Sequence, residues 1–339
     1  MTRARGKPVA LHALVAGEPG VFFALLTQKT SHTTRDGKRF LTCHFQDAKR
    51  RVTSPIWSDS PLFAECESEW VAGGSYKIQG TYSEHEKYGP QLDILKIRPT
   101  RPEDAADGFR EADLIERSRF DSAAMFDDLR QLATDAIADA PLRRLTLDLL
   151  DAHRETLLLL PATTQKFYPY PGGWLEHVLN VARVCLDLAT RFAANFPDLK
   201  PPLNVDVVIA GAVLHDLGRA AELTPGPLGT PPEPTVAGRL FGHILLGRDL
   251  VREAARAIPD LHPDRLTLLE HLITSHLTLP EWGSPRLPAV PEVLILHHAD
   301  DLDAKFEMYA RCLSRDTAAG AFTDRDPQLG KPLWKGREV

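Results

Sequence analysis

Cysteine is scarce and scattered: the 339 residues hold four, Cys43, Cys66, Cys185 and Cys312, with no C-x-x-C pair among them. That spacing suggests neither a disulfide framework nor a zinc ribbon, and reduced thiols in a cytoplasm are the simplest account. Long apolar runs are missing as well. No segment reaches the ~18 apolar residues a membrane helix needs, and the basic N-terminus MTRARGKPVALHALVAG is interrupted by His12 and lacks a cleavage region. The expectation is a soluble, cytoplasmic protein without a membrane partner. Positive charge is not in excess: the net charge of -6 argues against a uniformly basic nucleic-acid binder. No internal repeat is visible.

The charge that is present is unevenly spread. Residues 1–101 hold fifteen Lys and Arg against ten Asp and Glu, a net +5, which leaves -11 for the remainder. A basic front module attracting a polyanion and an acidic back module partly serving metals fit this split, and chance surface charge fits it equally. Apolar content of 43% and charged content of 25% are ordinary for a globular protein, and the length favours two domains.

Texture along the chain supports the division. Residues 9–100 read as short strands (FFALLTQKT, FLTCHFQDA, RRVTSPIW, YKIQGTYS, QLDILKIRP), with Asp36-Gly37 as a hairpin signal. Five or so strands in about 90 residues suit a small barrel of the OB-fold type. Residues 101–165 turn acidic and helical, with breaks at Pro141 and Pro161, and are expected to form a helical connector. Residues 166–312 are amphipathic helices interrupted by the Pro-rich segment TPGPLGTPPEPT at 224–235, too long for a tight turn and placed to border an active site. Residues 313–339 form a tail. The fold class expected is therefore a multi-domain chain, a small β-barrel followed by an all-α domain.

The chemistry concentrates in the helices. His215-Asp216 ends the apolar segment VDVVIAGAVLHDLGR, with His177 upstream and His243, His276 and Asp300 downstream. At helical spacing, His177 shares a face with Val181, Val184, Cys185 and Leu188; His215 with Val208, Gly211 and Ala212; His243 with Leu246, Gly247 and Leu250. His276 falls with Leu269, Leu272 and Ile273, whereas His271 sits among Thr267, Thr274 and Ser275, so His276 is the better inward ligand. Asp300 lies with Val293, Leu296 and Ala304, where an unpaired carboxylate would be costly. Any one of these histidines taken alone is more simply a satisfied core residue. Four His and two Asp on buried faces of one domain would each need a separate partner, whereas a shared site for one or two divalent metals satisfies all of them. His297, His298, Asp301 and Asp303 flank Asp300 and read as solvated groups or as groups that orient ligands.

The order His177, His215-Asp216, Asp300 resembles the HD phosphohydrolase superfamily, and the added His243 and His276 resemble its two-metal members. More closely, GGWLEH (172–177), IAGAVLHDLGR (209–219), GRLFGHILLG (238–247), EHLITSH (270–276), GSPRLP (283–288) and HHADDLDAK (297–305) resemble the YhaM family of 3′-to-5′ exoribonucleases, in that family's order. The family places an OB-fold ahead of an HD domain. Relatives usually carry Lys where Arg219 stands, often carry a second His where Leu277 stands, and commonly have histidines just before Gly-Gly where FYPYPGG stands. The resemblance implies that Asp216 bridges two metals, with His177, His215 and Asp300 on one and His243 and His276 on the other. His215, Asp216 and Arg219 are the catalytic candidates, with water as the nucleophile and Arg219 as a phosphate contact. Mixed imidazole and carboxylate ligation suits Mn, Fe or Co better than Mg alone.

Lys305 reads equally as a substrate contact or as the partner of a nearby acid. In the front module Phe40, Phe45, Trp57, Tyr82 and Tyr88 are candidate stacking faces beside Lys38, Arg39, Lys49, Arg50 and Arg51, although aromatics in a small barrel are more often core. Tyr88, in the polar segment EHEKYGPQ, is the clearest exposed candidate. The function expected is metal-dependent 3′-to-5′ hydrolysis of single-stranded RNA, with single-stranded DNA as a further substrate and homo-oligomerisation left open. The alternatives are a phosphohydrolase of nucleotides or cyclic dinucleotides, and a single-stranded nucleic-acid-binding protein with a non-catalytic metal site.

Overall fold

In the computed structural model, which describes residues 7–85, 88–224, 226, 230, 232–316 and 318–336, the chain divides into two compact units at Arg117 and Ser118. The first begins with the short strand β1 (Val9–Ala10) and a long strand β2 (Pro19–Thr33), followed by β3 (Arg39–Gln46), β4 (Arg51–Trp57), helix α1 (Phe63–Glu69), β5 (Ser75–His85) and β6 (Gly89–Pro99). The sheet order is β1-β2-β3-β4-β6-β5, and β2 also pairs with β5.

β2 serves both neighbours. Pro19–Leu25 pairs with β5 and Leu25–Thr33 with β3, and an irregularity between Leu26 and Gln28 lets the strand bend from one partner to the other. Setting β1 aside, five strands close on themselves through that bend, with a helix between the third and fourth, which is the OB arrangement. Alternation decides which side chains enter. Leu41, Cys43 and Phe45 of β3 and Val52 and Ile56 of β4 join Phe22, Leu26, Trp70, Tyr76 and Ile78 in one core. The thiols of Cys43 and Cys66 meet in that core at 3.4 Å. Two of the aromatic stacking candidates, Phe45 and Tyr82, are buried in it.

Asp104, in the turn after β6, is almost fully buried. It accepts two hydrogen bonds from Arg98 at 2.7 Å, one from Lys77 at 3.2 Å and one from the Arg101 backbone N–H at 2.9 Å. The Arg98 guanidinium, aided by the Arg101 N–H and Lys77, holds its carboxyl far below the usual carboxylate range.

The second unit comprises α2 (Ser122–Ala136), α3 (Ala140–Leu157), α4 (Gly173–Asn195), α5 (Val205–Leu214), α6 (Arg219–Glu222), a small β7 (Leu223–Thr224) and β8 (Glu233–Pro234) pair, α7 (Val236–Ala255), α8 (Pro263–Ser275) and α9 (Pro291–Arg315). Side-chain caps start many of these helices: Asp121, Asp139, Asn204 and Thr235 each accept a backbone N–H of their own first turn. Pro141 does not break a helix but occupies the first turn of α3. The stretch read as a connector is divided, residues through Arg117 staying with the barrel unit while α2 and α3 put Phe126, Leu129, Leu145 and Leu150 into the main helical core. At its centre lies α5, buried from Val207 to Leu214. Pro225, Pro227, Leu228, Gly229 and Pro231 of the Pro-rich segment lie outside the described residues, as do Glu86 and Lys87. Among the described residues no helix is long and apolar enough to cross a membrane.

Asp104→Asn is expected to destabilise the barrel by about 1–3 kcal/mol at pH 7, since hydrogen bonds to charged groups are worth about 1.5–3 kcal/mol each and asparagine keeps some of them. A carboxyl with a depressed folded pKa stabilises above its unfolded value of about 3.9 and loses that contribution as pH falls through the folded one. The melting temperatures of the variant and wild type, followed by circular dichroism, should therefore converge as pH drops below about 4.

Candidate metal centre and the aromatic face of the barrel

A helix leaves its last carbonyls unpaired. Two of the sequence-predicted ligands use that vacancy. His215 caps α5 and its Nδ1 donates to the carbonyl of Ala212 at 2.8 Å, and His276 caps α8 and donates from Nδ1 to the carbonyl of Ile273 at 2.8 Å. His177, on α4, directs Nδ1 to Asp303 Oδ2 at 2.7 Å, and Asp303 also accepts from the Tyr168 hydroxyl at 3.1 Å. His243 has Glu222 Oε1 3.7 Å from its Nδ1. All four imidazoles thus face their outer partners through Nδ1 and present Nε2 inward.

Asp216 and Asp300 complete the cluster. Nε2 of His177 lies 3.1 Å from Asp300 Oδ1, with His215 Nε2 3.9 Å from the same oxygen, while His243 Nε2 is 3.2 Å from Asp216 Oδ1. Two sets of ligand atoms lie within 4.8 Å of one another, His177–His215–Asp216 and Asp216–His243–His276, with Asp216 common to both. His177 Nε2, His215 Nε2 and Asp216 Oδ1 are buried without a hydrogen-bond partner. Orphaned atoms of this kind, all lone-pair donors and all converging, fit a site for divalent cations.

The electrostatics point the same way. Burial alone would raise the Asp216 carboxyl, but Arg219, His243 and His215 hold it well below its ordinary value. Asp300, against the same penalty of burial, is brought down to about 2 by His177 and His215. Burial would lower His177, yet Asp300 and Asp303 on either side push it up to about 10, so this corner demands positive charge. Burial takes His276 down to about 4, which keeps it neutral and able to coordinate at pH 7.

Close approach between helices makes the cluster possible. A Cβ on Gly218 would lie 1.9 Å from the carbonyl oxygen of His243 and 2.5 Å from the Gly247 nitrogen, so only glycine lets the turn after Asp216 rest on α7. Gly242, at φ 69°, kinks α7 one residue before His243. The kink frees the His243 N–H, which donates to Glu222 Oε1 at 3.2 Å. Behind the doublet, Trp174 Nε1 donates to the Asp216 carbonyl at 2.9 Å and fixes its backbone.

The remaining sequence candidates are placed as follows. Arg219 has Nε 3.6 Å from Asp216 Oδ2 and donates to Glu222 Oε2 at 2.7 Å, so its charge is held at the cluster. Lys305 pairs with Asp301 one helical turn away at 2.7 Å, the bland of its two readings. Glu222, Tyr168 and Trp174 escaped sequence reasoning; only Glu222 carried a signal, its i,i+3 spacing from Arg219.

On the barrel, Arg50 is used structurally: it donates to the carbonyls of Leu11 and Leu14 at 3.0 and 2.9 Å and covers the ring of Tyr82 at 4.2 Å. Arg39 pairs with Glu67, and Lys38 pairs with Asp59 at 2.7 Å while lying 5.4 Å from the ring centroid of Trp57. Tyr88 is exposed and tilts against His85 at 4.7 Å. The outer face gathers a row that register explains: His32 of β2 opposes Phe40 of β3, which opposes Trp57 of β4. Their rings lie 5.1 and 4.7 Å apart with interplanar angles of 27° and 30°, and Trp57 is 38% exposed.

Residues 174–305 match the family model of the HD domain. The match spans all six residues of the cluster, from His177 on α4 to Asp300 on α9. Among solved structures, the second OB-fold domain of replication protein A from Methanococcus maripaludis aligns with 28% of this chain and 95% of its own, at 13% identity and a TM-score of 0.22. An asparaginyl-tRNA synthetase of Entamoeba histolytica, solved with asparaginyl-adenylate, aligns over 44% of this chain and 36% of its own, at 9% identity and a TM-score of 0.23. At these scores it is the strand order of the barrel itself that identifies its fold.

Two substitutions separate packing from ligation. Gly218→Ala should destabilise the helical unit by about 1–3 kcal/mol, the usual cost of overpacking, and lower its metal content, measured by thermal melting and elemental analysis. Asp303→Asn should leave the melting temperature of the metal-free protein within a few degrees but weaken metal affinity roughly 10- to 100-fold, read by titration against a competing chelator.

Proposed function

We propose that the chain is a metal-dependent 3′-to-5′ exoribonuclease that hydrolyses phosphodiester bonds of single-stranded RNA. The observation that carries the hydrolytic part is the pair of ligand triads sharing Asp216, with three orphaned lone-pair atoms at their junction. Divalent ions, when bound there, supply Lewis-acid polarisation of the phosphate and acidify water. His177, His215 and Asp300 would hold one and His243 and His276 the other, with Asp216 available to both. Manganese suits this mixture of imidazole and carboxylate.

The protein's own groups do the rest. Asp216 stays ionised against burial and so remains an acceptor at the centre of the site. Arg219, steadied by Glu222, brings a fixed positive charge beside Asp216, where it neutralises a phosphate oxygen as charge builds in the transition state. The outer acceptors on Nδ1 keep each imidazole in the tautomer that ligation requires.

Single-stranded RNA as the substrate is supported by the barrel. The His32–Phe40–Trp57 row offers faces on which successive bases stack regardless of sequence, with Lys38 alongside for the backbone. The polarity rests on the resemblance of six motifs to the YhaM family.

The reading is tested with a 5′-labelled single-stranded RNA and Mn²⁺. Wild type should generate a ladder that shortens from the 3′ end, and Asp216→Ala should abolish it, with a loss of at least about 10³-fold. A protein with full metal content that leaves RNA intact but hydrolyses mononucleotides or cyclic dinucleotides would overturn it. Trp57→Ala should weaken RNA binding by roughly 5- to 150-fold, corresponding to the ~1–3 kcal/mol of one stacked base, while metal content stays at the wild-type level.

A further inference from the structure

Between the ligand His276 and α9 the chain runs through LTLPEWGSPRLPAV, a segment the metal chemistry does not use. It is nevertheless tied down at several points. The Ala289 N–H donates to His271 Nε2 at 3.0 Å, and the Ser284 N–H donates to the Leu279 carbonyl at 3.2 Å. Gly283, at φ 108°, turns the chain beside α7, where an added Cβ would be in ordinary contact, 3.6 Å, with Cδ1 of Ile244. Ile244 directly follows His243, so the loop rests on the same helix that carries a ligand.

Trp282 ends the short 3-10 turn Pro280–Trp282 and remains 52% exposed. One side of its indole stacks on His297, with centroids 6.3 Å apart and planes 26° from parallel. His297 is itself fixed, since its Nδ1 donates to the carbonyl oxygen of His276 at 2.8 Å. The chain of contacts is therefore indole, imidazole, backbone of a metal ligand. A large aromatic surface is left in water on a mount tied to the backbone of His276. Burying that surface under a second flat ring would gain both apolar area and stacking.

We propose that Trp282 is the platform on which the base of the nucleotide being cleaved stacks, with His297 as the ring that positions it. The inference rests on the phosphodiesterase reading above and adds to it the element of the substrate that the helical unit recognises. It assigns the base-binding part of the site to a loop outside the ligand helices. Because every base has a π-face, such a platform accepts all four, as stepwise degradation of a mixed sequence requires.

Two measurements test it. In the first, the metal-loaded protein is titrated with adenosine monophosphate and, as a base-free control, ribose 5-phosphate, following tryptophan fluorescence and heat. The nucleotide should quench the indole signal and bind more tightly than the sugar phosphate. Trp282→Phe should lose most of the quench yet keep affinity within about threefold, and Trp282→Ala should lose roughly tenfold or more for the nucleotide relative to the sugar phosphate. Equal binding of the two probes by wild type, or equal losses in Trp282→Ala, would overturn the platform. In the second, cleavage of an RNA with a normal 3′-terminal nucleotide is compared with one whose terminal nucleotide is abasic. The wild-type preference for the normal end should fall towards one in Trp282→Ala and return in Trp282→Phe, and a preference that stays unchanged counts against the proposal. If wild type cleaves neither RNA, the exonuclease reading fails, and the binding comparison still decides whether Trp282 holds a base.

Discussion

Four imidazoles and two carboxylates share one buried space, and most of the helical unit is arranged so that this is tolerable. A buried polar atom without a partner costs free energy of the same order as a substantial fraction of a domain's stability. The unit meets this on the outer side by giving the imidazoles an acceptor facing Nδ1, two of them helix-terminal carbonyls that also lacked partners. On the inner side it leaves His177 Nε2, His215 Nε2 and Asp216 Oδ1 unpaired. A site balanced in this way is suited to cations, and the depressed carboxyls and the raised His177 fit the same reading in electrostatic form.

The surrounding sequence follows from that constraint. α5 is apolar on every side because it runs through the middle of the unit with the doublet at its end. Glycine stands at 218 because the doublet's turn touches the α7 backbone, and at 242 because the chain must kink there to aim His243 and release its N–H to Glu222. Trp174 packs in the core while its indole N–H holds the Asp216 carbonyl, so one residue serves stability and geometry together. The barrel obeys a different logic: closure through the bent β2 uses the inward-facing half of each strand, and the outward half is left free to carry His32, Phe40 and Trp57 in register.

Periodicity made much of this legible. Alternation located the barrel strands, and the stripes of Val, Leu and Ala at helical spacing placed His177, His215, His276 and Asp300 on buried faces, where the structure has them. The same reasoning chose His276 over His271, which instead pins the loop before α9 through Ala289. Charge was a poorer guide. Arg50 looked like a substrate contact because it is basic and near aromatics, but it donates to the carbonyls of Leu11 and Leu14. A cation's partner lies wherever the chain returns in space, and its sequence neighbours do not reveal it.

The amino-acid sequence by itself determined which residues are candidate ligands and which faces they occupy, because helical and strand periods are local properties of the backbone that survive in any fold the chain adopts. Tertiary structure alone decided that Glu222 reaches His243 and that Trp282 is mounted on His297, whose Nδ1 donates to the His276 carbonyl. Those relations join residues 15 to 21 positions apart. They depend on how helices cross and where glycines permit contact, and no period along the chain encodes such distances.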